Sequence, residues 1–249
     1  MTMRRYDINI NGIDVNAIYS ETAIYEIFIP LLHKLTALQK EKGRRILVLL
    51  AAPPGAGKST LCSFLEKLSQ ENSDICNVQA IGMDGFHRRQ EYLLTHDTER
   101  DGKIVKMVDI KGAPITFDLE KLTAAIKRVS SGEICGWPPY DRHLHNPVED
   151  TYTVNSDIVI LEGNYLLLDE DGWRDLASFA DYTIKVIANE EFLRERLIDR
   201  KAKSGNTLEK ATAFVDYSDM ANVRICLEKS NTADLILVID DNGEYSYGS

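Results

Sequence analysis

The sequence predicts an α/β fold of three layers, with helices on both faces of a central, mostly parallel sheet. Five apolar runs support this prediction, at residues 46–51, 78–83, 158–161, 182–187 and 235–239. Strands buried on both faces of a parallel sheet carry continuous runs of this kind, whereas half-exposed strands alternate. Segments of helical periodicity separate the runs, so strands alternate with crossover helices. In such a sheet, ligands bind beyond the C-terminal ends of the strands.

Length and composition fit one folded domain over 1–249. The chain has 249 residues, of which 44% are hydrophobic, and this supports a substantial core. The sequence shows no internal repeat, low-complexity tract or linker. We therefore expect a single domain with local excursions from the sheet.

The charge balance limits the partners of the chain. It has 29 Lys and Arg against 39 Asp and Glu, a formal net charge of −10. This argues against a broad nucleic-acid footprint and against docking on an anionic membrane. No apolar run approaches the ~20 residues that cross a bilayer, and the N-terminus shows no signal pattern. We expect no nucleic-acid partner and no membrane partner, and a local cluster of donors must hold any anionic ligand.

The four cysteines indicate neither a zinc site nor a disulfide framework. They lie far apart and form no C-x-x-C pair, at Cys62, Cys76, Cys135 and Cys226. A reducing cytoplasm is the compartment that fits this usage best.

The N-terminal segment, 1–20, predicts a small β-hairpin. Residues 6–10 and 13–17 alternate apolar with polar side chains. Asn11-Gly12 between them is a strong signal for a type I′ turn, so the two segments are expected to pair antiparallel.

Two helices can be placed from their periodicity and their end signals. Apolar residues recur at helical spacing over 23–39, with Pro30 as a candidate kink and Gly43 as a stop. Asp118 is a candidate N-cap for a second helix, which carries its apolar residues on one face and ends at Gly132.

The stretch after the first apolar run nearly matches the phosphate-binding loop G-x-x-x-x-G-K-[ST]. It consists of Ala52, Pro53, Pro54, Gly55, Ala56, Gly57, Lys58, Ser59 and Thr60. Backbone N–H groups, the positive end of the next helix and the Lys58 ammonium would surround phosphates, while Ser59 offers its hydroxyl to Mg²⁺. Ala52 replaces the first glycine, where the chain is expected to be still strand-like. We predict a P-loop NTPase fold in which residues 54–60 bind nucleotide.

Two carboxylates follow neighbouring apolar runs. Asp84 stands at the end of the second run, where it can accept a substrate hydroxyl proton as that hydroxyl attacks a γ-phosphate. The alternative is an aspartate that only caps the turn before Gly85. Glu162 ends the third run, where a carboxylate usually reaches the metal, directly or through water, although it could also be simply solvated.

The segment 190–206 predicts a helical lid with a basic face. Arg196, Arg200 and Lys203 are spaced i, i+4, i+7 and therefore share one side of the helix. Cations that close over a triphosphate neutralise charge in the transition state. The alternative, weighted equally for any one residue, is a solvated face whose cations pair with nearby acids.

The segment 137–147 is rich in proline and resists regular structure. It either lines an acceptor pocket or crosses the surface without a chemical role. If it lines the pocket, the candidate acceptor residues are Asp84, Phe86, His87, Tyr140, Asp141, Arg142 and His143.

Six motifs in order resemble the phosphoribulokinase/uridine kinase/pantothenate kinase family of P-loop kinases, and nearly the whole chain takes part. They are A-P-P-G-A-G-K-S-T (52–60), M-D-G-F-H (83–87), K-G-A-P-I-T-F-D (111–118), P-Y-D-R (139–142), V-I-L-E-G-N-Y-L-L-L-D (159–169) and R-L-I-D-R-K (196–201). The chain looks most like a bacterial branch described as fructose-transport-system kinases or pantothenate-kinase-like proteins. It departs from the uridine kinases, which tend to carry a serine where this chain has Gly85. Its 140–143 loop looks like neither the uridine nor the pantothenate kinases.

The resemblance implies phosphorylation of a small-molecule substrate, at a hydroxyl group, with ATP and Mg²⁺. Asp84 matches the catalytic aspartate of the family, Lys58, Ser59 and Thr60 match its nucleotide loop, and Arg196 and Arg200 match its lid arginines. The acceptor stays open among a sugar such as fructose, a pantothenate-like compound and a nucleoside. An ATP-binding regulatory protein without kinase activity is the alternative, and Asp84 counts against it. A homodimer is left open, because no residue pattern addresses the oligomeric state.

Overall fold

The centre of the fold is a six-stranded sheet. The computed structural model describes residues 2–10, 13–141, 144–149 and 151–248. In spatial order the strands are β14 (Tyr245–Tyr247), β13 (Leu235–Ile239), β12 (Tyr182–Ala188), β3 (Ile46–Ala51), β11 (Ile158–Gly163) and β4 (Val78–Gly82). β13 and β14 pair antiparallel, and the other neighbours pair in parallel. The five predicted strands and the mostly parallel sheet are confirmed, and β14 is an addition at one edge.

Helices cover both faces of this sheet. They are α1 (Ile29–Lys42), α2 (Lys58–Gln70), α3 (Gln90–Thr95), α4 (Leu119–Ser130), α5 (Glu190–Lys203), α6 (Leu208–Phe214) and α7 (Met220–Lys229). One buried apolar cluster joins the sheet to α1, α2 and α5, and a second joins it to α4. Val48 and Leu50 of β3 point into the first cluster, whereas Leu47 and Leu49 point into the second. The continuous apolar run therefore reflects burial on both faces, and the three layers are confirmed.

Shorter turns complete the described part of the chain. Two turns are π-helical, Ala23–Phe28 and Val215–Asp219, and four are 3₁₀, Met83–Phe86, Met107–Ile110, Pro114–Thr116 and Arg174–Phe179. None of the helices in the described residues combines the length and the apolar character that a bilayer crossing requires.

The two helices predicted from periodicity both form. The first starts as a π-helical turn at Ala23 and becomes α-helical at Ile29, so Pro30 stands in the first turn of α1, where its missing N–H costs little. Gly43 ends α1 in the left-handed conformation, with φ 61°. In α4 the Asp118 carboxylate accepts a hydrogen bond from the N–H of Lys121, as an N-cap does.

The N-terminal hairpin packs on the rest of the fold through aromatic rings. Its strands are β1 (Met3–Ile10) and β2 (Ile13–Ser20), and the two predicted turn residues between them lie outside the described residues. Tyr19 stacks on Phe64 of α2 with ring centroids 4.5 Å apart, and it meets Phe28 edge-on at 5.3 Å. The hairpin is confirmed, and it is anchored to the helix that follows the phosphate loop.

The expectation of irregular structure over 137–147 is wrong in part. β7 (Cys135–Trp137) pairs with β10 (Tyr152–Val154), and β8 (Tyr140–Asp141) pairs with β9 (Asn146–Pro147). The prolines are accommodated because two of them lie between these short strands and the third ends a two-residue pair. The chain offers one further hairpin that no pattern predicted, β5 (Asp97–Arg100) with β6 (Lys103–Lys106).

Replacing Asp181 by asparagine is expected to lower the free energy of unfolding by about 1.5–3 kcal/mol at pH 7, because charged hydrogen bonds would be lost. The Asp181 carboxylate accepts from Arg44 at 2.6 and 3.0 Å and from the N–H of Leu47 at 3.1 Å, which joins β3 to the segment before β12. Burial alone would raise the pKa of Asp181, but these bonds outweigh it and lower the pKa below its usual value.

The sign of this pKa shift fixes the pH dependence. A carboxylate whose pKa is lower in the folded than in the unfolded state stabilises the fold fully at pH values above its unfolded-state pKa of about 3.9. This contribution is lost as the pH falls through the pKa of the folded state. The difference between wild type and Asp181→Asn in urea unfolding should therefore narrow from pH 7 towards pH 3. The control, Asp171→Asn, removes a fully exposed carboxylate and should change stability little. A constant difference between the two pH values would contradict the role given to Asp181.

Candidate active site

The phosphate loop connects β3 to α2 and turns sharply at its glycines. Gly55 and Gly57 have φ values of +87° and +85°, a region that side chains with a Cβ rarely adopt. Ala52 has no positive φ, and its N–H donates to the carbonyl of Gly163 at 3.1 Å. This bond lies next to Ala51 and Gly163, the last residue pair between β3 and β11. The backbone at Ala52 thus continues the strand, which agrees with the expectation that glycine is dispensable there.

The start of α2 presents its first N–H groups towards this loop. Gly57 is the N-cap, and the N–H of Leu61 is the donor to its carbonyl at 2.9 Å. The N–H groups of the preceding residues, Lys58 to Thr60, have no partner within the helix, as at every helix start. Free donors together with the helix dipole make this end suited to an anion.

The lid helix α5 lies directly against the phosphate loop. A Cβ added at Gly55 would be 3.1 Å from the carbonyl oxygen of Leu193, and one added at Gly57 would be 3.2 Å from a terminal nitrogen of Arg196. Arg196 therefore lies beside the turn at which a phosphate would bind. A side chain at Gly55 would crowd the backbone of α5, and the positive φ at both positions favours glycine.

The other lid cations have different surroundings. Lys203 forms an exposed ion pair with Asp199 at 2.7 Å, which matches the solvated alternative for that residue. Asp219, which follows the lid, is largely buried, and burial raises the pKa of its carboxyl while Lys201 and Arg200 oppose the shift.

Ser59 and Glu162 meet at the other side of the loop. The Ser59 hydroxyl donates to a Glu162 carboxylate oxygen at 2.6 Å, although the residues are 103 positions apart in sequence. Glu162 is the fifth residue of β11 and only 8% exposed. One carboxylate and one hydroxyl fit Mg²⁺, which usually takes one or two protein ligands and completes its shell with phosphates and water. Within the described residues no three His, Cys, Asp or Glu side chains form a metal cluster.

Asp84 lies in the 3₁₀ turn that follows β4. Its carbonyl accepts from the N–H of His87 at 3.1 Å and contacts Nδ1 of the same ring at 2.9 Å, so Nδ1 must carry the proton. Burial lowers the pKa of His87, which keeps the ring neutral near pH 7. The histidine thereby fixes the turn that holds Asp84.

Asp84, Ser59 and Glu162 line one cavity of about 250 Å³, which we call the acceptor cavity. The end of β7 and the residues after it form one side of this cavity, and Trp137 donates from its indole N–H to the carbonyl of Gly82 at 2.8 Å. A Cβ added at Gly85 would lie 1.6 Å from the carbonyl oxygen of Pro138. The proline carbonyl therefore occupies the place of a side chain at position 85.

The sequence did not predict most of the residues that line the acceptor cavity. Its further lining includes Cys62, Ser63, Glu66, Gln79, Trp137, Pro138 and Tyr152. Cys62, Ser63 and Glu66 lie on the same face of α2 as Ser59, at spacings i+3, i+4 and i+7. Helical periodicity could have identified these three residues from the sequence. Those on β4 and beyond come close only through tertiary contacts.

The structure separates the predicted acceptor residues. Asp84 and Tyr140 line the acceptor cavity, whereas Phe86 and His87 line a second cavity on the other side of Gly85. A carboxylate oxygen of Asp141 accepts from the N–H of Leu144 at 2.9 Å within its own turn. Arg142 and His143 lie outside the described residues. The roles of all seven remain predictions.

Lys111, the first residue of the 111–118 motif, is a cation beside Tyr140. Its ammonium donates to the Gln90 side chain at 2.7 Å and to the carbonyl of His145 at 3.1 Å, and it lies 5.2 Å from the centre of the Tyr140 ring. Burial lowers the pKa of Lys111. These bonds tie the 140–147 segment to the rest of the site.

The chain is similar to proteins of a known family. The sequence profile described as "Phosphoribulokinase / Uridine kinase family" matches residues 47–240. An Escherichia coli (strain K12) protein named "Uncharacterized protein YggC" is 42% identical over 246 residues, 98% of this chain and 100% of that protein. The "Putative uridine kinase C227.14" of Schizosaccharomyces pombe is 33% identical over 78% of this chain and 83% of its own length. The crystal structure of a "putative fructose transport system kinase" from Silicibacter sp. TM1040 has a TM-score of 0.70 and 31% identity, and covers 82% of this chain and 98% of its own.

Proposed function

The chain belongs to the phosphoribulokinase/uridine kinase family, and on that premise we propose that it transfers the γ-phosphoryl group of ATP to a hydroxyl of a small metabolite. The observation that carries the proposal is the shared cavity of Asp84, Ser59 and Glu162 beside the phosphate loop. A base for an acceptor hydroxyl and oxygen ligands for Mg²⁺ then face one small space.

In the proposed reaction the protein positions the reactants and compensates charge. Lys58 and the N–H groups of the loop and of the start of α2 would hold the β- and γ-phosphates. Ser59 and Glu162 would hold Mg²⁺, which when bound neutralises phosphate charge. Arg196, beside Gly57, is the cation best placed for the transferred group, and Arg200 follows it one turn later on α5.

Asp84 is proposed to accept the proton of the acceptor hydroxyl as that oxygen attacks the γ-phosphate. His87 holds the backbone of the turn that carries Asp84, which favours a fixed position of the turn when the acceptor binds. The acceptor cavity, at about 250 Å³, admits a small and polar molecule. Candidates are a sugar such as fructose, a pantothenate-like compound and a nucleoside.

A screen of hydroxyl metabolites for ADP release, followed by mass spectrometry of the product, tests the proposal. We expect one compound, or one narrow class, to gain a single phosphoryl group, and Lys58→Ala to abolish that gain. Saturable ATP binding without any phosphorylated product would instead support the ATP-binding regulatory protein.

Replacing Glu162 by glutamine is expected to raise the Mg²⁺ concentration needed for half-maximal ATP binding by about 10- to 100-fold, because a charged oxygen ligand would be lost. Titration of Mg²⁺ at fixed ATP measures the shift. The matched control is Glu66→Gln in the same cavity, whose carboxylate accepts the N–H of Ala80 at 3.3 Å and is given no metal role. Equal shifts in the two variants would contradict the assignment of Glu162.

A further inference from the structure

A second cavity lies behind the acceptor cavity, and we call it the Arg88 cavity. Its volume is about 530 Å³, within the range of small-molecule sites. Apolar side chains line much of it, including Phe86, Tyr92, Pro147 and Val148. The wall that it shares with the acceptor cavity is formed by Gly85 and Pro138. A ligand in the Arg88 cavity would therefore be separated from an acceptor molecule.

Arg88 brings an unsatisfied cation to this cavity. The Nε atom of Arg88 is buried without a hydrogen-bond partner among the described residues. Its guanidinium lies 4.8 Å from the centre of the Tyr92 ring, a cation–π contact that positions the group. A buried guanidinium donor that finds no acceptor costs free energy, unless a ligand supplies the acceptor.

Three other cations of the lining already have protein acids as partners. Arg89 pairs with Glu149 at 3.0 Å, Lys121 pairs with Asp118 at 3.4 Å, and Arg128 pairs with Glu133 at 2.8 Å. Their charges are balanced locally, so they do not define the ligand. In the described part of the chain, Arg88 takes part in no ion pair, and its charge is the one that a ligand would meet.

We propose that the Arg88 cavity binds a small organic anion with a flat apolar body. The carboxylate or phosphate of the ligand would accept hydrogen bonds from Arg88, because the planar guanidinium matches both groups. The apolar body would lie on Pro147 and Val148. This site goes beyond the proposed kinase reaction, since it uses none of the residues assigned to ATP, Mg²⁺ or proton transfer.

Fluorescence titration with three naphthalene probes tests the proposal. 1-Naphthyl phosphate and 1-naphthoate carry one apolar body with the two anionic groups, and 1-naphthol is the neutral match. Saturating ADP with Mg²⁺ keeps the probes from the phosphate loop, and Lys58→Ala gives the same exclusion independently. We expect both anions, but not 1-naphthol, to bind the wild-type protein. The tighter of the two identifies the charged group that the site prefers.

Two variants locate the binding. Arg88→Met removes the charge at similar length, and Ala124→Trp fills the cavity from an exposed position of α4. Each should weaken binding of the anions by about tenfold or more, because the charge-assisted bonds or the space are lost. Arg174→Met, at an arginine that pairs with Asp169 outside the cavity, should have no effect. Unchanged affinity in both test variants, equal binding of 1-naphthol, or no binding of either anion would overturn the proposal.

Discussion

Replacing Asp84 by asparagine is expected to lower kcat for the true acceptor by about 10²- to 10⁴-fold, which is the usual rate contribution of a general base. Asparagine keeps the size of the side chain and a carbonyl oxygen, but it cannot take the hydroxyl proton. The backbone bonds between Asp84 and His87 do not involve the carboxylate, so the turn should stay intact. The Kd for ATP should be unchanged, because the phosphate loop and Asp84 belong to different segments.

The measurement compares steady-state kcat with ATP binding in the same preparation. Asp175→Asn is the matched control, because this exposed aspartate lies in the 3₁₀ turn Arg174–Phe179, outside the acceptor cavity. Wild-type turnover in Asp84→Asn would remove the base from the mechanism. Equal loss of turnover and of ATP binding would assign Asp84 a structural role instead.

The core of the fold was predictable because parallel strands leave a local signal. A strand buried on both faces must be apolar at every position, so β3 is visible in the sequence without any knowledge of its neighbours. β14 left no such signal, since Tyr245–Tyr247 is short and its polar residue faces away from the core clusters. The β5–β6 hairpin is mostly exposed and charged, and its pairing depends on contacts rather than on apolar alternation.

The site was predictable where topology brings sequence motifs together. Ser59 lies just after the loop that follows β3, and Glu162 lies near the C-terminal end of the adjacent parallel strand β11, so strand order brings them together. The contact between Gly85 and Pro138 had no comparable signal, because Pro138 belongs to an excursion outside the sheet. Sequence patterns therefore predicted that Ser59, Asp84 and Glu162 lie close together, while the residues of the 137–140 segment that line the acceptor cavity depend on the fold.

Replacing Gly85 by alanine is expected to raise the KM for the acceptor by about tenfold or more, and to lower the free energy of unfolding by about 1–3 kcal/mol, because overpacking forces backbone shifts. The new Cβ would lie 1.6 Å from the Pro138 carbonyl oxygen, and that atom belongs to the backbone and cannot rotate away. Since Gly85 is not left-handed, the clash rather than backbone strain decides the outcome. The segment that closes the acceptor cavity must move outward.

Kinetics with the acceptor and urea unfolding measure the two effects. Gly132→Ala is the control for backbone strain without a steric clash. Gly132 has a φ of +85°, which alanine rarely adopts, and no atom lies within 4 Å of the added Cβ. That variant should lose stability without a change in the KM for the acceptor. An unchanged KM in Gly85→Ala would separate the Gly85–Pro138 contact from acceptor binding.

Gly85→Ser extends the argument to specificity. Uridine kinases, which this chain resembles, tend to carry serine at the matching position, whereas the Pro138 carbonyl occupies that space here. A serine hydroxyl would need still more room than the alanine methyl, so Gly85→Ser should impair acceptor binding at least as strongly. If Gly85→Ser instead gained activity on uridine, the Gly85–Pro138 wall would be the element that separates this chain from nucleoside acceptors. A loss of activity with every acceptor would show that the Gly85–Pro138 wall shapes the cavity as a whole. The choice of acceptor would then be attributed to the segment Trp137 to Tyr140 rather than to the residue after Asp84.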